Sequence, residues 1–234
     1  MLFDKQAVMA NIRNRDGKRV FYLGKGHQLT SEARDYLNSQ RIEILPAEQA
    51  KKDSYRLLGG GYVTEKPEYM THLNAEFLVS KTHPRIKFRG AMDMLEAEIL
   101  LCQQAADPKT AAALGDALAL ARNIIRYDVL NEPAEEMLLG GLDAQKLRER
   151  SHRPQDFYDQ PHFMPSHQDS RFLLMLNHAR CAARQAELYA VDAFIDRDGK
   201  PTRTDILQYL NRLSSFLYLL MIREKSGGCN HGKL

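Results

Sequence analysis

From about residue 71 onward the apolar residues recur with a helical period, which restricts the fold more than any other feature of the chain. FRGAMDMLEAEILLCQQAA (88–106) sets Met92, Leu95, Ile99 and Cys102 on one stripe. TAAALGDALALARNIIRYDVLN (110–131) is an Ala- and Leu-rich helix, and RFLLMLNHARCAARQAELYAVDAFI (171–195) is a third, ended by the turn DRDGKP. DILQYLNRLSSFLYLLMI (205–222) carries the stripe Leu207, Leu210, Leu213, Leu217 and Leu220. A shorter helix is predicted over LDAQKLRERSHR, and the polar, Pro-rich RPQDFYDQPHFMPSHQDS is predicted as a structured loop. Four long helices and a short one predict a mainly α protein, an up-and-down bundle of about five helices with ferritin-like architecture over 71–225.

The first sixty residues differ. KRVFYL reads as a strand, GKGHQ as a turn, and LTSEARDYLNSQ as a short helix with Thr30 or Ser31 at its N-cap. RIEILP reads as a second strand closed by Pro46. Residues 1–57 are therefore predicted to form a small α/β appendage, with KKDS (51–54) exposed. Residues 58–70, rich in Gly and Pro, are the expected linker, and 226–234 the expected flexible tail.

The formal charge of +3, from 33 basic and 30 acidic residues, is too mild to indicate nucleic acid or an anionic membrane as partner. No apolar run approaches the ~18 residues of a spanning helix, and the N-terminus lacks the apolar core of a secretory signal. Cys102, Cys181 and Cys229 are too few and too scattered for a disulfide framework or thiolate cluster. A cytoplasmic setting fits these features.

Three stretches could carry chemistry. Arg180, Arg184 and Glu187 share one helix face at i, i+4 and i+7. They form either a solvated ion-pair stripe or a guanidinium clamp for phosphate oxygens. The alanines around them do not decide which face is buried. Asn211, Ser214, Ser215 and Tyr218 lie beside the leucine stripe of the last helix, as a solvated boundary row or as one wall of a bundle site. Residues 71–93 gather Lys81, Arg85, Lys87 and Arg89 near Thr71, Ser80 and Thr82, which fits a basic surface connection or a polyphosphate cradle. There is no Walker motif. His152, His162, His167 and His178 match no recognised ligand frame, and no structural metal is expected.

Together these stretches resemble the ATP:cob(I)alamin adenosyltransferases of the propanediol-utilisation type. That family's ATP segment, T-x-L followed by V-x-K-x-x-x-R-x-x-A-Y-G-x-x-D-E-L-N-A, corresponds to THL (71–73) and VSKTHPRIKFRGAMDMLEA (79–97). Its A-R-x-x-x-R-R-A-E-R corresponds to ARCAARQAEL (179–188), and its Y-L-N-R-L-S-D-x-L-F to YLNRLSSFLY (209–218). The ethanolamine-utilisation branch is more similar still, through THL-x-AE, the K-[ST]-x-PR stretch, DVLNEP (128–133), SHRP (151–154) and DILQ-x-LNRLSS.

The resemblance implies a cobalamin adenosyltransferase-like bundle, a homo-oligomer (trimer or dimer) with sites at subunit interfaces. The implied reaction transfers the 5′-deoxyadenosyl group of ATP to reduced cob(I)alamin, giving adenosylcobalamin and triphosphate and supplying ethanolamine ammonia-lyase. ATP brings Mg²⁺, and cobalamin is a substrate. By the same match Thr71, Lys81, Arg180, Arg184, Glu187 and Asn211 hold ATP. Glu187 orients the arginines or helps with Mg²⁺ or the nucleoside, and Asp93 bridges to Arg180 across the interface. Phe163, or else Phe157, displaces the lower cobalt ligand. A reductase and a bacterial microcompartment are the implied associates.

The chain departs from the pattern at several points. The phosphate-contacting T-G-D-x-G is missing, leaving GGGYVTEKPEYMTHL in its place; Glu96 stands for the Asn of D-E-L-N-A; Gln185 stands for the second arginine; PSH stands for P-G-G. The His/Cys metal motif of some ethanolamine-type members has no counterpart ahead of THL, so a metal-independent variant is implied. Two other readings share the same residues: a non-catalytic ATP or adenosylcobalamin carrier, and a basic phosphate-binding interaction module.

Overall fold

The computed structural model describes residues 2–15, 18–47 and 55–227. They fall into two compact units, Met1–Glu68 and Tyr69–Leu234. The first unit contains β1 (Leu2–Phe3), α1 (Lys5–Ala10), β2 (Arg13–Arg15), β3 (Lys18–Leu23), β4 (Gln28–Leu29), α2 (Ser31–Ser39), β5 (Glu43–Pro46), β6 (Tyr55–Leu57) and β7 (Tyr62–Val63). Strand β3 pairs parallel with β5 and antiparallel with β2, the right-sized frame for a β–α–β crossover through α2. Thr30 caps α2 by accepting from the Ala33 amide at 3.2 Å. A small core of Val8, Phe21, Leu29, Ala33, Leu37 and Ile42 closes the unit. The elements before residue 18 were not predicted: α1 is only six residues long, too short for its period to show. Strand β7 lies inside the Gly-rich segment expected as linker, where Gly60 and Gly61, at φ 99° and 82°, make the tight turn back onto β6. The stretch 51–54 and the tail beyond Gly227 lie outside the described residues.

The second unit opens with the antiparallel pair β8 (Met70–His72) and β9 (Phe77–Ser80), followed by α3 (Pro84–Ala105), α4 (Pro108–Leu130), α5 (Ala144–His152), α6 (Pro154–Tyr158), α7 (Arg171–Ala193) and α8 (Thr204–Lys225). Pro84 and Pro108 start their helices where a missing amide costs nothing. Cross-helix contacts run in opposite senses along each pair. Glu96–Arg122 and Arg89–Asp128 join α3 to α4, His178–Glu98 and Phe88–Phe194 join α3 to α7, and Glu187–Asn211 and Ser170–Glu224 join α7 to α8. All three pairs are therefore antiparallel. This is the predicted mainly α up-and-down bundle with a small sheet-bearing appendage. One detail differs: the Pro-rich segment expected as loop begins with α6, for which Pro154 supplies the first turn.

The undecided face of α7 is settled by burial. Leu173, Leu176, Ala179, Ala183, Ala186 and Ala190 are all buried and face the large side chains Phe88, Met92, Leu95 and Ile99 of α3 and Leu210, Leu213 and Leu217 of α8 within one core. Small residues on one helix against large ones on its neighbours fill space without voids. Among the described residues no helix is long and apolar enough to cross a membrane.

Two ionic ties fix the C-terminal end of α4. Asp128, fully buried, accepts from Arg85 Nε and Arg89 Nε at 2.7 Å each, and its main-chain carbonyl accepts from Arg85 Nη2 at 2.6 Å. Arg85 also lies 5.9 Å over the Phe194 ring. Beyond α4, Arg203 donates to the carbonyls of Tyr127 and Glu132 and to Asp205, which in turn accepts from the Ala134 amide. The Arg203 guanidinium holds the Asp205 carboxyl below its ordinary 3.8, at about 2. That contribution is complete above the ordinary carboxylate range and is lost as pH falls through about 2. Asp128→Ala leaves two clustered arginines without their buried counter-charge, so we expect a loss of roughly 3 kcal/mol, seen as a melting temperature lower by about 10 °C. Glu96→Ala, which breaks the more exposed pair with Arg122, is expected to cost under about 1 kcal/mol.

Candidate functional site

Arg180 and Arg184 on α7 lie about 100–140° around the helix from the buried alanine stripe. On α8, Asn211, Ser214, Ser215 and Tyr218 flank the leucine stripe in the same way. Because α7 and α8 pack through those stripes, the two polar rows come to one side of their seam. They line a cleft of about 250 Å³, closed at its far wall by Ser151 and His152 from the end of α5. The spacing in the sequence puts Arg180, Arg184, Asn211, Ser214, Ser215 and Tyr218 on candidate walls, and the structure brings these six together. Ser151 was missed as a lining group, and His152 had been weighed only as a metal ligand.

The hydrogen bonds show which groups are free for a ligand. Arg180 directs Nε and Nη2 onto Asn177 Oδ1, at 3.2 and 2.9 Å, which fixes its guanidinium on the helix. Neither Arg180 nor Arg184 pairs with a carboxylate among the described residues. Asn211 Nδ2 donates to Glu187 Oε1 at 3.0 Å, and Asn211 Oδ1 accepts from Arg212 Nη1 at 2.6 Å. One Nδ2 proton of Asn211 remains available. Ser214 and Ser215 both donate to the Asn211 carbonyl, at 2.9 and 3.1 Å, so each presents lone pairs rather than a donor. Burial, and then the Arg148 charge, lower the proton affinity of Arg212. Burial raises the Tyr218 hydroxyl above its ordinary value. The resulting cleft offers two guanidinium groups without a carboxylate partner among the described residues and an aligned amide, a donor set suited to a polyanion.

The basic segment 81–89 behaves differently. Arg85 and Arg89 are spent on Asp128, so they do not cradle a phosphate, and burial followed by their charges lowers His83. Thr71 sits in β8 opposite Val79, and Lys81 is exposed just past β9; neither lines the cleft. The Phe88–Phe194 ring contact, 5.4 Å between centroids, places the start of α3 beside the end of α7. Arg180 lies fourteen residues before Phe194, about 21 Å along the helix, so Lys81 and Arg180 of one chain occupy different levels of the bundle. Asp93 is exposed on α3, with no ion-pair partner among the described residues. Glu187 accepts from Asn211 Nδ2 and makes no ion pair with Arg180 or Arg184 among the described residues. Phe163 is half-buried outside the cleft lining, stacked on Tyr218 at 6.3 Å; Phe157 packs under Arg150 instead. His178 pairs with Glu98 at 2.8 Å, and no group of three or more His, Cys, Asp or Glu among the described residues could hold a metal ion.

The sequence pattern of the cobalamin adenosyltransferases matches residues 62–224, most of the chain and both walls of the cleft. The chain belongs to this family. Over 160 residues it is 36% identical to the corrinoid adenosyltransferase EutT of Salmonella typhimurium, an alignment that covers 68% of this chain and 60% of that protein. The EutT of Escherichia coli is 37% identical over the same shares. The chain thus spans about 60% of the length of these curated relatives. A PduO-type ATP:co(I)rrinoid adenosyltransferase variant from Lactobacillus reuteri, solved with ATP, superposes with a TM-score of 0.52 at 16% identity, over 69% of this chain and 92% of that one. That likeness extends to the fold.

Arg184 is exposed and outside the core. Arg184→Ala is expected to weaken binding of inorganic triphosphate by at least about tenfold in calorimetry, the worth of one charge-assisted hydrogen bond. Its thermal unfolding should stay within about 0.5 kcal/mol of the parent.

Proposed function

We propose that the chain is an ATP:cob(I)alamin adenosyltransferase. The reduced cobalt of the corrinoid attacks the 5′-carbon of ATP, and the carbon–oxygen bond to the triphosphate breaks. Triphosphate leaves with that electron pair as cobalt(I) becomes cobalt(III), now bonded to the deoxyadenosyl carbon. The observation that carries this reading is the cleft with two unpaired arginines, Arg180 and Arg184, inside a bundle of this family. Because the cobalt is the nucleophile, the protein needs no general base; it contributes position and charge. Arg180, Arg184 and Asn211 hold the triphosphate and stabilise it as it departs, and Mg²⁺ arrives with ATP. The names of the relatives, corrinoid adenosyltransferases and one solved with ATP, agree with this assignment. The product supplies ethanolamine ammonia-lyase, and the protein works in the cytoplasm or a bacterial microcompartment beside a reductase.

On this reading Lys81 and Thr71 come to the cleft from a second copy, since within one chain Lys81 lies at another level of the bundle. The exposed face of α3 supports such a contact. Asp93, Met94, Leu100 and Leu101 share it, with the three apolar side chains 57, 45 and 50% exposed. An acidic group set among exposed apolar ones suits an interface with an arginine of a neighbour.

Mixing the full chain with reduced cobalamin and MgATP is expected to consume the cob(I)alamin absorbance and release one triphosphate per adenosylcobalamin. Tight binding of ATP or adenosylcobalamin without turnover would instead identify a carrier. Asp93→Asn is expected to shift the assembly toward monomer in light scattering and to lower turnover in parallel; an intact oligomer removes the bridge to Arg180.

A further inference from the structure

The loop 159–170 is tied to α8 at two places. Downstream, Asp169 pairs with Lys225, accepts from the Ser166 amide at 2.7 Å, and is followed by Ser170, whose hydroxyl donates to Glu224 at 2.6 Å. Upstream, everything converges on one side chain. Tyr218 lies with its hydroxyl 2.9 Å from His162 Nδ1. Both the His162 and Phe163 rings stack on it, at 5.8 and 6.3 Å between centroids and 12° and 24° between planes. The other ring nitrogen of His162 is 3.3 Å from the carbonyl of His152, and Lys225 sits 5.6 Å over Phe163. Yet Tyr218 and His152 are also walls of the arginine cleft. The cleft and the loop therefore share their contact residues.

We propose that Tyr218, with His162, is a positioning residue that fixes the Phe163 segment against the nucleotide cleft, so that the loop takes its place only when this wall is intact. The proposal rests on the adenosyltransferase reading for its kinetic consequence, but not for its structural one. A hydroxyl bonded to His162, with the His162 and Phe163 rings stacked on the same side chain, restricts this part of the loop more than either kind of contact alone. The stacked rings give the loop a flat seat that survives loss of the hydroxyl. Removing the hydroxyl should therefore loosen the loop without dismantling the cleft. Tyr218 is in this sense a link between the cleft and the loop, and the arginines remain the ligand-holding groups.

The test uses the full chain in four variants. By hydrogen–deuterium exchange without ligand, Tyr218→Phe and His162→Ala are expected to speed exchange at residues 162–164 by about tenfold, the worth of one hydrogen bond, while the amides of α8 keep their protection. His162→Asn, which returns a polar group near the Nδ1 position, is expected to restore much of it. In turnover, Tyr218→Phe should lower kcat by about tenfold and move the KM for ATP less than about twofold. The double variant Tyr218→Phe/His162→Ala should be no worse than the poorer single. Unchanged exchange in both single variants overturns the proposal. So does a tenfold rise in KM with kcat retained, which makes Tyr218 a direct phosphate ligand, and so does additivity in the double variant. A parent chain without turnover overturns the functional reading alone, and the exchange result still decides whether Tyr218 holds the loop.

Discussion

The bundle depends on the alanine stripe of α7. Ala179, Ala183, Ala186 and Ala190 are fully buried between α3 and α8, so α7 meets both neighbours through its smallest side chains. A bulkier residue at any of these positions overpacks the core, at about 1–3 kcal/mol, and separates α7 from α8. The consequence reaches the surface, because Arg180 and Arg184 stand on the same helix, about 100–140° around it from the stripe. Whatever sets the α7–α8 seam also sets the distance between the guanidinium groups and Asn211. Core packing and site geometry are here one constraint.

The same bundle separates its arginines by use. Arg85 and Arg89 converge on one buried carboxylate, and Arg203 on Asp205 and two carbonyls, so their charge is consumed in tying helix ends. Arg180 is held by a neutral amide, and Arg184 is unpaired among the described residues. A guanidinium oriented by a neutral acceptor keeps its full charge toward a ligand, whereas one facing a carboxylate is already neutralised. The identity of the orienting partner, more than the density of basic residues along the chain, locates the anion site. In the basic run 81–89 the two arginines are instead turned onto one buried carboxylate.

Much of this was legible in advance. The 3.6 period gave the four long helices to within a few residues, and the caps at Thr30, Asp107 and Ser170 follow ordinary helix-start chemistry. The face of α7 was not legible, since alanine is compatible with core and surface alike and only its partners decide. Asp128 had a readable signal that was passed over. It falls in phase with Ala117, Ala121 and Ile124 on the buried side of α4, and a carboxylate on an apolar stripe requires a cation to meet it. The Tyr218–His162 link, fifty-six positions apart in sequence, has no local signature, because stacking and hydrogen bonding across a loop leave no period.

A single chain's cleft also has an internal limit. Two guanidinium groups and one remaining amide proton face it, while its serine hydroxyls are turned to the Asn211 carbonyl and offer only lone pairs. A triphosphate carries more charge than two arginines neutralise, and serine lone pairs repel it. On the proposed reading, further positive charge has to enter from the open side. The serine oxygens, unsuited to phosphate, are well placed to accept from donors such as metal-bound water or the ribose hydroxyls.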